Sequence, residues 1–340
     1  MIKIEENVGL KSYNTFGIDA TARYFCKITR EDQFKSLLQT DLYKNEKVLI
    51  LGGGSNILFT KNFEGLVVKT DIKGIHLVDE TDEIVNIKAM SGENWHELVV
   101  HCVNHQWGGI QNLSLIPGSV GAAPIQNIGA YGVEIKEVVK EVSGIDRIHG
   151  EEKTFQNNEC AFGYRESIFK HQLKENIFIS SVTLSLTKKN HIINTSYGAI
   201  KDTLKEMNII EPSLKSISDA VIHIRKSKLP DPVQVGNAGS FFKNPTISLL
   251  HYQSLQKIHS TIPGYHSVNQ EVKVPAGWLI EQCGWKGKRL NDIGVHAQQA
   301  LVIVNYGNGN GEEIFRLAMK IVSSVKEKFN IILTPEVNII

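Results

Sequence analysis

The segment 113–132, LSLIPGSVGAAPIQNIGAYG, constrains the fold more than any other stretch of the chain. Between Pro117 and Pro124 lie Gly118, Ser119, Gly121, Ala122 and Ala123, five small residues that cannot build a conventional hydrophobic core. With so little side chain, the main chain itself becomes the surface. It can approach a flat, extended ligand closely and meet it with N–H and C=O groups. Ile125 and Ile128 add apolar contact. A snug crossover between domains would use the same residues, and the segment alone leaves both readings open.

A second glycine-rich turn lies upstream. The β-rich run Val48, Leu49, Ile50 leads straight into Leu51-Gly52-Gly53-Gly54-Ser55-Asn56. A strand that ends in such a turn can present backbone N–H groups to a phosphate. The dinucleotide fingerprint G-x-G-x-x-G fails, because Ile57 stands where the third glycine belongs and no helix-starting pattern follows. A Rossmann fold is therefore disfavoured, while an ordinary glycine turn stays open.

At 340 residues the chain exceeds one ordinary core, so two or three domains are expected. Hydrophobic residues make up 41% and charged residues 21%, with a formal net charge of +1. That balance gives no general attraction to nucleic acid or anionic membrane, and neither is expected as a partner. No run approaches the roughly 18–20 apolar residues that span a bilayer. The opening MIKIEENVGLKS carries acidic residues and no apolar core, so no secretory signal and a cytoplasmic location are expected. Cys26, Cys102, Cys160 and Cys283 are scattered, as in a reducing compartment. His96-Glu97 and His101 are one residue too far apart for H-E-x-x-H. His101 and His105 share a helix face without a third ligand, so no metal is expected.

Three further stretches carry chemistry. In FGYRESIF, Arg165 sits among aromatic and apolar residues, either packed on a ring or kept for an anion. A guanidinium forks onto a carboxylate better than an ammonium does. A helix expected over 217–227 delivers Arg225 and Lys228 to KLPDPVQVGNAGSFFKNP, where two prolines hold the chain extended and Ser240 is set into a tight glycine turn. Read alone, that serine is ordinary turn chemistry. The chain closes with a long amphipathic helix begun by Asn310 and Glu313, then an apolar strand containing Glu336. Read alone, Glu336 is an exposed edge residue.

Taken together, these stretches resemble the UDP-N-acetylenolpyruvoylglucosamine reductases (MurB), flavoenzymes of peptidoglycan precursor synthesis. The likeness runs from Asn14-Thr15-Phe16-Gly17-Ile18 to Glu336, and a tyrosine-bearing loop at Tyr197 matches the longer, type I branch. It implies an α+β protein with a vanillyl-alcohol-oxidase-like, two-lobed FAD-binding region and a C-terminal α/β substrate domain. The lobes are expected at 1–70 and 71–225 and the substrate domain at 226–329, with strand 330–340 returning to the active site. FAD would be held noncovalently by Gly52, Gly53, Gly54, Ser55 and Asn56, and by Ser114, Pro117, Gly118, Ser119, Gly121, Ala122, Ile125, Ile128 and Gly129. At Ala122 and Ala123, where the family often carries a hydroxyl or thiol, only main-chain contacts are expected. NADPH would reduce the flavin and leave. UDP-N-acetylglucosamine enolpyruvate would then enter and be held by Tyr131, Tyr197, Lys228, Asn244, Tyr265 and Gln299. The resemblance makes Ser240 the proton donor, and Arg165 with Glu336 (protonated, or bridged to a cation) the stabilisers of the developing enolate. A monomer is expected. Another FAD-dependent oxidoreductase with the same flavin fold and a different substrate is the alternative.

Overall fold

A computed structural model describes residues 2–266 and 269–340, and its architecture is α+β. Chain contacts separate two compact units. The first comprises the residues through Val8, Ala22–Gly53 and Glu64–Ser227, and the second Gly9–Thr21, Gly54–Phe63 and Lys228–Ile340.

The first unit contains a five-stranded antiparallel sheet in the order Glu152–Gln156, Val139–Asp146, Ile177–Thr187, Ile84–Met90, Ile75–Glu80. Its central strand reads IFISSVTLSLT and is buried along nearly its whole length, so apolar and small hydroxyl residues alternate instead of apolar and charged ones. Helix Trp95–Asn104 packs Trp95, Leu98, Val99 and Cys102 into the same core, the spacing of one helical face. Asn94 caps it by accepting the Glu97 N–H at 3.1 Å. The Trp95 indole donates to the Leu113 carbonyl at 3.0 Å, which ties the helix start to the small-residue segment. A second core gathers around Phe34, stacked on Phe178 with ring centres 3.9 Å apart. It underlies a four-stranded sheet ordered Ile4–Gly9, Thr21–Ile28, Phe63–Thr70, Val48–Leu51, whose last pair is parallel.

In the second unit a sheet runs in the order Gly236–Ser240, Val302–Asn305, Ile293–Val295, Arg289–Leu290. Helix Gly311–Phe329 packs on it through Ile314, Leu317, Ala318, Ile321, Val325 and Phe329. The expected capping box is present, with reciprocal bonds between Asn310 and Glu313. Asn310→Ala is expected to lower stability by about 1 kcal/mol, read as a shift of the urea unfolding midpoint with the slope unchanged. Gly311 is required here, since a Cβ would run into the Phe59 carbonyl. The chain end lies parallel to the segment after the glycine turn, pairing Asn338 with Ile57 and Ile339 with Leu58.

Three local expectations are revised. Helix Leu214–Lys228 starts before 217, because Ser213 and Ser216 exchange N–H···Oγ bonds of 2.8 and 3.2 Å at its entry. The chain after Pro230 turns instead of staying extended: Asp231 accepts from the N–H groups of Val233 and Gln234. Ser240 ends a strand instead of sitting in a tight turn. A bulge between Asn237 and Ser240 and a φ of 67° at Gly239 keep the glycine chemistry that suggested a turn.

Candidate active site

In the first unit the two glycine-rich stretches lie backbone against backbone. A Cβ on Gly53 would come 2.7 Å from the Gly118 Cα, and one on Gly52 would strike the Ser119 hydroxyl. No side chain fits between the two runs, so the local surface is main chain. Ser119 is buried, and its Oγ has no hydrogen-bond partner among the described residues. A buried hydroxyl left so costs about 1–3 kcal/mol unless a ligand or water completes it. This cradle and its waiting hydroxyl suit a polar, extended cofactor. Gly121 closes the far side, where its N–H donates to the Ser91 carbonyl at 3.0 Å. Ser114 differs: it is fully buried, and its hydroxyl is committed to the Gln111 carbonyl (2.7 Å) and the Ser218 hydroxyl (2.8 Å). Pro117 is exposed and Ile128 nearly buried, while Ile125 shows 38% of its surface.

Arg165 occupies a turn closed by mutual bonds between Gly163 and Glu166, at 2.9 and 3.2 Å. Its φ of 57° is uncommon for a non-glycine residue, and such strain is retained where the surroundings impose it. The guanidinium donates to the Gly129 carbonyl at 2.8 Å and lies 5.5 Å from the Tyr164 ring centre.

Tyr131 and Tyr197 meet edge to face at 5.2 Å. Burial raises the Tyr131 phenol above its ordinary range, and Arg225, which bonds to it, opposes that shift. Arg225 also donates to the Leu115 carbonyl at 3.2 Å. Beneath them the fully buried Asn112 donates to the carbonyls of Tyr131 (3.2 Å) and Asn194 (3.0 Å), and Asn194 donates to that of Gly132 (3.1 Å). Asn112 and Asn194 were not legible as functional positions, because their partners lie far along the chain.

In the second unit Gly54 has φ 65°, and a Cβ there would strike the Tyr13 carbonyl. Thr15 donates its N–H to the Gly54 carbonyl at 3.0 Å, while buried Asn14 bonds Leu10 and Ile18 through both ends of its amide. The segment 14–18 is thus the brace of the glycine turn. Asn56 in turn donates to the Glu336 carbonyl at 3.2 Å.

Ser240 is exposed at its strand end, and the next residue accepts the Glu336 N–H at 2.8 Å. Phe242 bridges Pro335 and the Lys243 N–H donates to Thr334, so 241–243 and 334–336 run as a short antiparallel pair. Phe241 and Phe242 are buried with ring centres 5.1 Å apart and fix this pair to the core. The register sets Glu336 opposite Phe241, the residue after Ser240. Asn244 accepts the Ala276 N–H at 2.9 Å and Gln299 accepts the Leu301 N–H at 3.3 Å, which leaves the amide NH2 of each as the end aimed elsewhere. Lys228 and Tyr265 are both exposed, Tyr265 by 64%.

The imidazoles of His101 and His105 lie tilted to each other with ring centres 4.2 Å apart, and His105 stacks on Trp107 at 4.7 Å. No group of three metal-ligating side chains occurs among the described residues. Burial pushes the thiols of Cys26, Cys102 and Cys160 up to about 12, so they are poor nucleophiles.

The C-terminal domain of UDP-N-acetylenolpyruvoylglucosamine reductase matches residues 231–340, and an FAD binding domain matches residues 22–153. The chain is 49% identical over 339 residues to the UDP-N-acetylenolpyruvoylglucosamine reductase of Flavobacterium johnsoniae, covering 100% of both chains. It belongs to the UDP-N-acetylenolpyruvoylglucosamine reductase family. The Amoebophilus asiaticus reductase is likewise 49% identical over 337 residues, 99% of each chain. The fold is shared with the solved reductase (MurB) of Thermus caldophilus, at a TM-score of 0.69 and 21% identity over 100% of this chain and 99% of that one. Within this reductase family frame, the FAD-domain match spans the cradle at Gly52 and Gly118, and the C-terminal match spans Ser240 and Glu336.

Proposed function

We propose that the protein reduces UDP-N-acetylglucosamine enolpyruvate to UDP-N-acetylmuramate, a peptidoglycan precursor, with NADPH as reductant and noncovalent FAD as cofactor. The observation that carries this reading is the pairing of Glu336 with Phe241, the residue after Ser240, beside a braced glycine turn, in a chain of this family. Bound FAD would supply the hydride-transfer chemistry that links NADPH to C3 of the enolpyruvyl group.

The protein's own residues do the rest. The main chain at Gly52, Gly53, Gly54, Gly118 and Gly121, with the Ser119 hydroxyl, Ser55, Asn56, Ala122, Ile125, Ile128 and Gly129, holds the cofactor. The Ser114 hydroxyl is otherwise engaged, so Ser114 contributes through its backbone. As negative charge develops on the substrate carboxylate and C2, Arg165 and Glu336, the latter protonated or bridged to a cation, stabilise it. Groups already oriented toward that charge lower the barrier without reorganising. Ser240 then gives its hydroxyl proton to C2. Lys228 supplies positive charge to the diphosphate, the Asn244 and Gln299 amides supply donors, and Tyr131, Tyr197 and Tyr265 pack on the rest. That long handle contributes binding energy that orients the reacting end. The lobes of the FAD region lie at 1–70 and 71–225, the substrate domain at 226–329, and 330–340 returns to the site. The enzyme works as a cytoplasmic monomer.

Mass spectrometry of the product, with NADPH consumption followed in parallel, tests the reaction. UDP-N-acetylmuramate formed one for one with NADPH oxidised is expected, and NADPH oxidation without that product overturns the substrate. Gly53→Ala adds a methyl 2.7 Å from the Gly118 Cα, which cannot be accommodated without main-chain movement. The variant is expected to purify largely without FAD, seen as loss of visible absorbance per protein. A normal flavin content contradicts the cradle.

A further inference from the structure

We propose that Asn127 is the positioning residue of Arg165, an inference that rests on the role just given to Arg165. The segment 125–129 holds the Arg165 turn at three successive points. The Ser167 hydroxyl donates to the Ile125 carbonyl at 2.7 Å, the Asn127 amide donates to the Gly163 carbonyl at 2.9 Å, and the Arg165 guanidinium donates to the Gly129 carbonyl at 2.8 Å. The outer two ties end on main chain of that segment. The middle one is a side chain and so can be removed without altering either carbonyl.

Asn127 is built for this place. It is fully buried and takes φ 45°, a conformation asparagine tolerates better than most residues. Its Nδ2 also donates to the Glu134 carboxylate at 3.0 Å, and its Oδ1 accepts the Lys136 N–H at 3.1 Å. The amide is therefore held at both its nitrogen and its oxygen by 134–136, and it bonds the turn two residues before Arg165. The same short run that fixes the backbone of the turn also catches the guanidinium through Gly129. Both the root and the tip of Arg165 are referred to one rigid segment. Charge stabilisation of a reacting carboxylate is sensitive to displacements of this scale, and 1 Å can cost about 100-fold in rate. Saturated by protein groups, Asn127 itself does not reach the reactants.

The test uses the FAD-loaded enzyme with Asn127→Gly, which accepts the positive φ and deletes the amide, and with Asn127→Ser as a second variant should the first fold poorly. The two half-reactions are followed separately by flavin absorbance. Flavin reduction by NADPH should stay within about twofold of normal, while flavin reoxidation by the enolpyruvyl nucleotide should slow by about 10- to 100-fold. In an Arg165→Ala background the same change should add little, because the residue it acts through is gone. Parallel loss in both half-reactions, or a full additional loss in the Arg165→Ala background, overturns the positioning role. If Asn127→Gly slows reoxidation but Arg165→Ala does not, the role of Arg165 falls and the positioning role with it. If Arg165→Ala slows reoxidation and Asn127→Gly does not, only the positioning role falls.

Discussion

Ser240→Ala is expected to leave flavin reduction by NADPH within about twofold of normal and to slow reduction of the enolpyruvyl nucleotide by about 10²–10⁴-fold, the range for loss of a positioned proton donor. A serine hydroxyl is a weak acid and transfers its proton only onto a centre that has already gained carbanion character. The proton is not called for while NADPH reduces the flavin, so that half-reaction should not register the change. Ser240 is exposed at a strand end with its neighbours fixed by Phe241 and Phe242, so removing one oxygen should not disturb the fold. The check is single-turnover kinetics of each half-reaction. Equal slowing of both would mean that Ser240 supports the flavin site in general and donates no proton.

The second large effect concerns Glu336. Glu336→Ala is expected to slow substrate reduction by about 10²–10³-fold, the scale measured when one group facing a developing oxyanion is removed. Its backbone contacts survive the change, since Phe241 accepts its N–H and Asn56 donates to its carbonyl. The loss should therefore appear in the rate of flavin reoxidation, with flavin content and the melting temperature nearly unchanged. A variant that loses FAD or melts early, with its remaining holoenzyme fully active, would make Glu336 a structural residue.

Which parts of this arrangement could be read from the chain follows from how local their causes are. The helix Gly311–Phe329 was legible end to end, because its capping box and its apolar stripe lie within the helix itself. The glycine turn and the small-residue segment were legible as backbone surface for the same reason. The strand character of Gly236–Ser240 was not, since its partner Val302 lies far along the chain and the glycines that permit the bulge read equally well as a turn. The placement of Glu336 opposite Phe241 depends on pairing with 241–243, which no local pattern announces, and only the resemblance to the family pointed to a role for that residue. Asn112 and Asn127 are buried amides whose value lies in partners distant in sequence. Polar composition alone makes them look like loop residues.

The most direct test of the account is anaerobic stopped-flow of the purified holoprotein, following the visible flavin absorbance through two additions. NADPH alone should bleach the flavin, and UDP-N-acetylglucosamine enolpyruvate added next should restore the colour rapidly as UDP-N-acetylmuramate forms. Bleaching without return would contradict the assigned substrate, and a protein that takes up no FAD would contradict the account at its root.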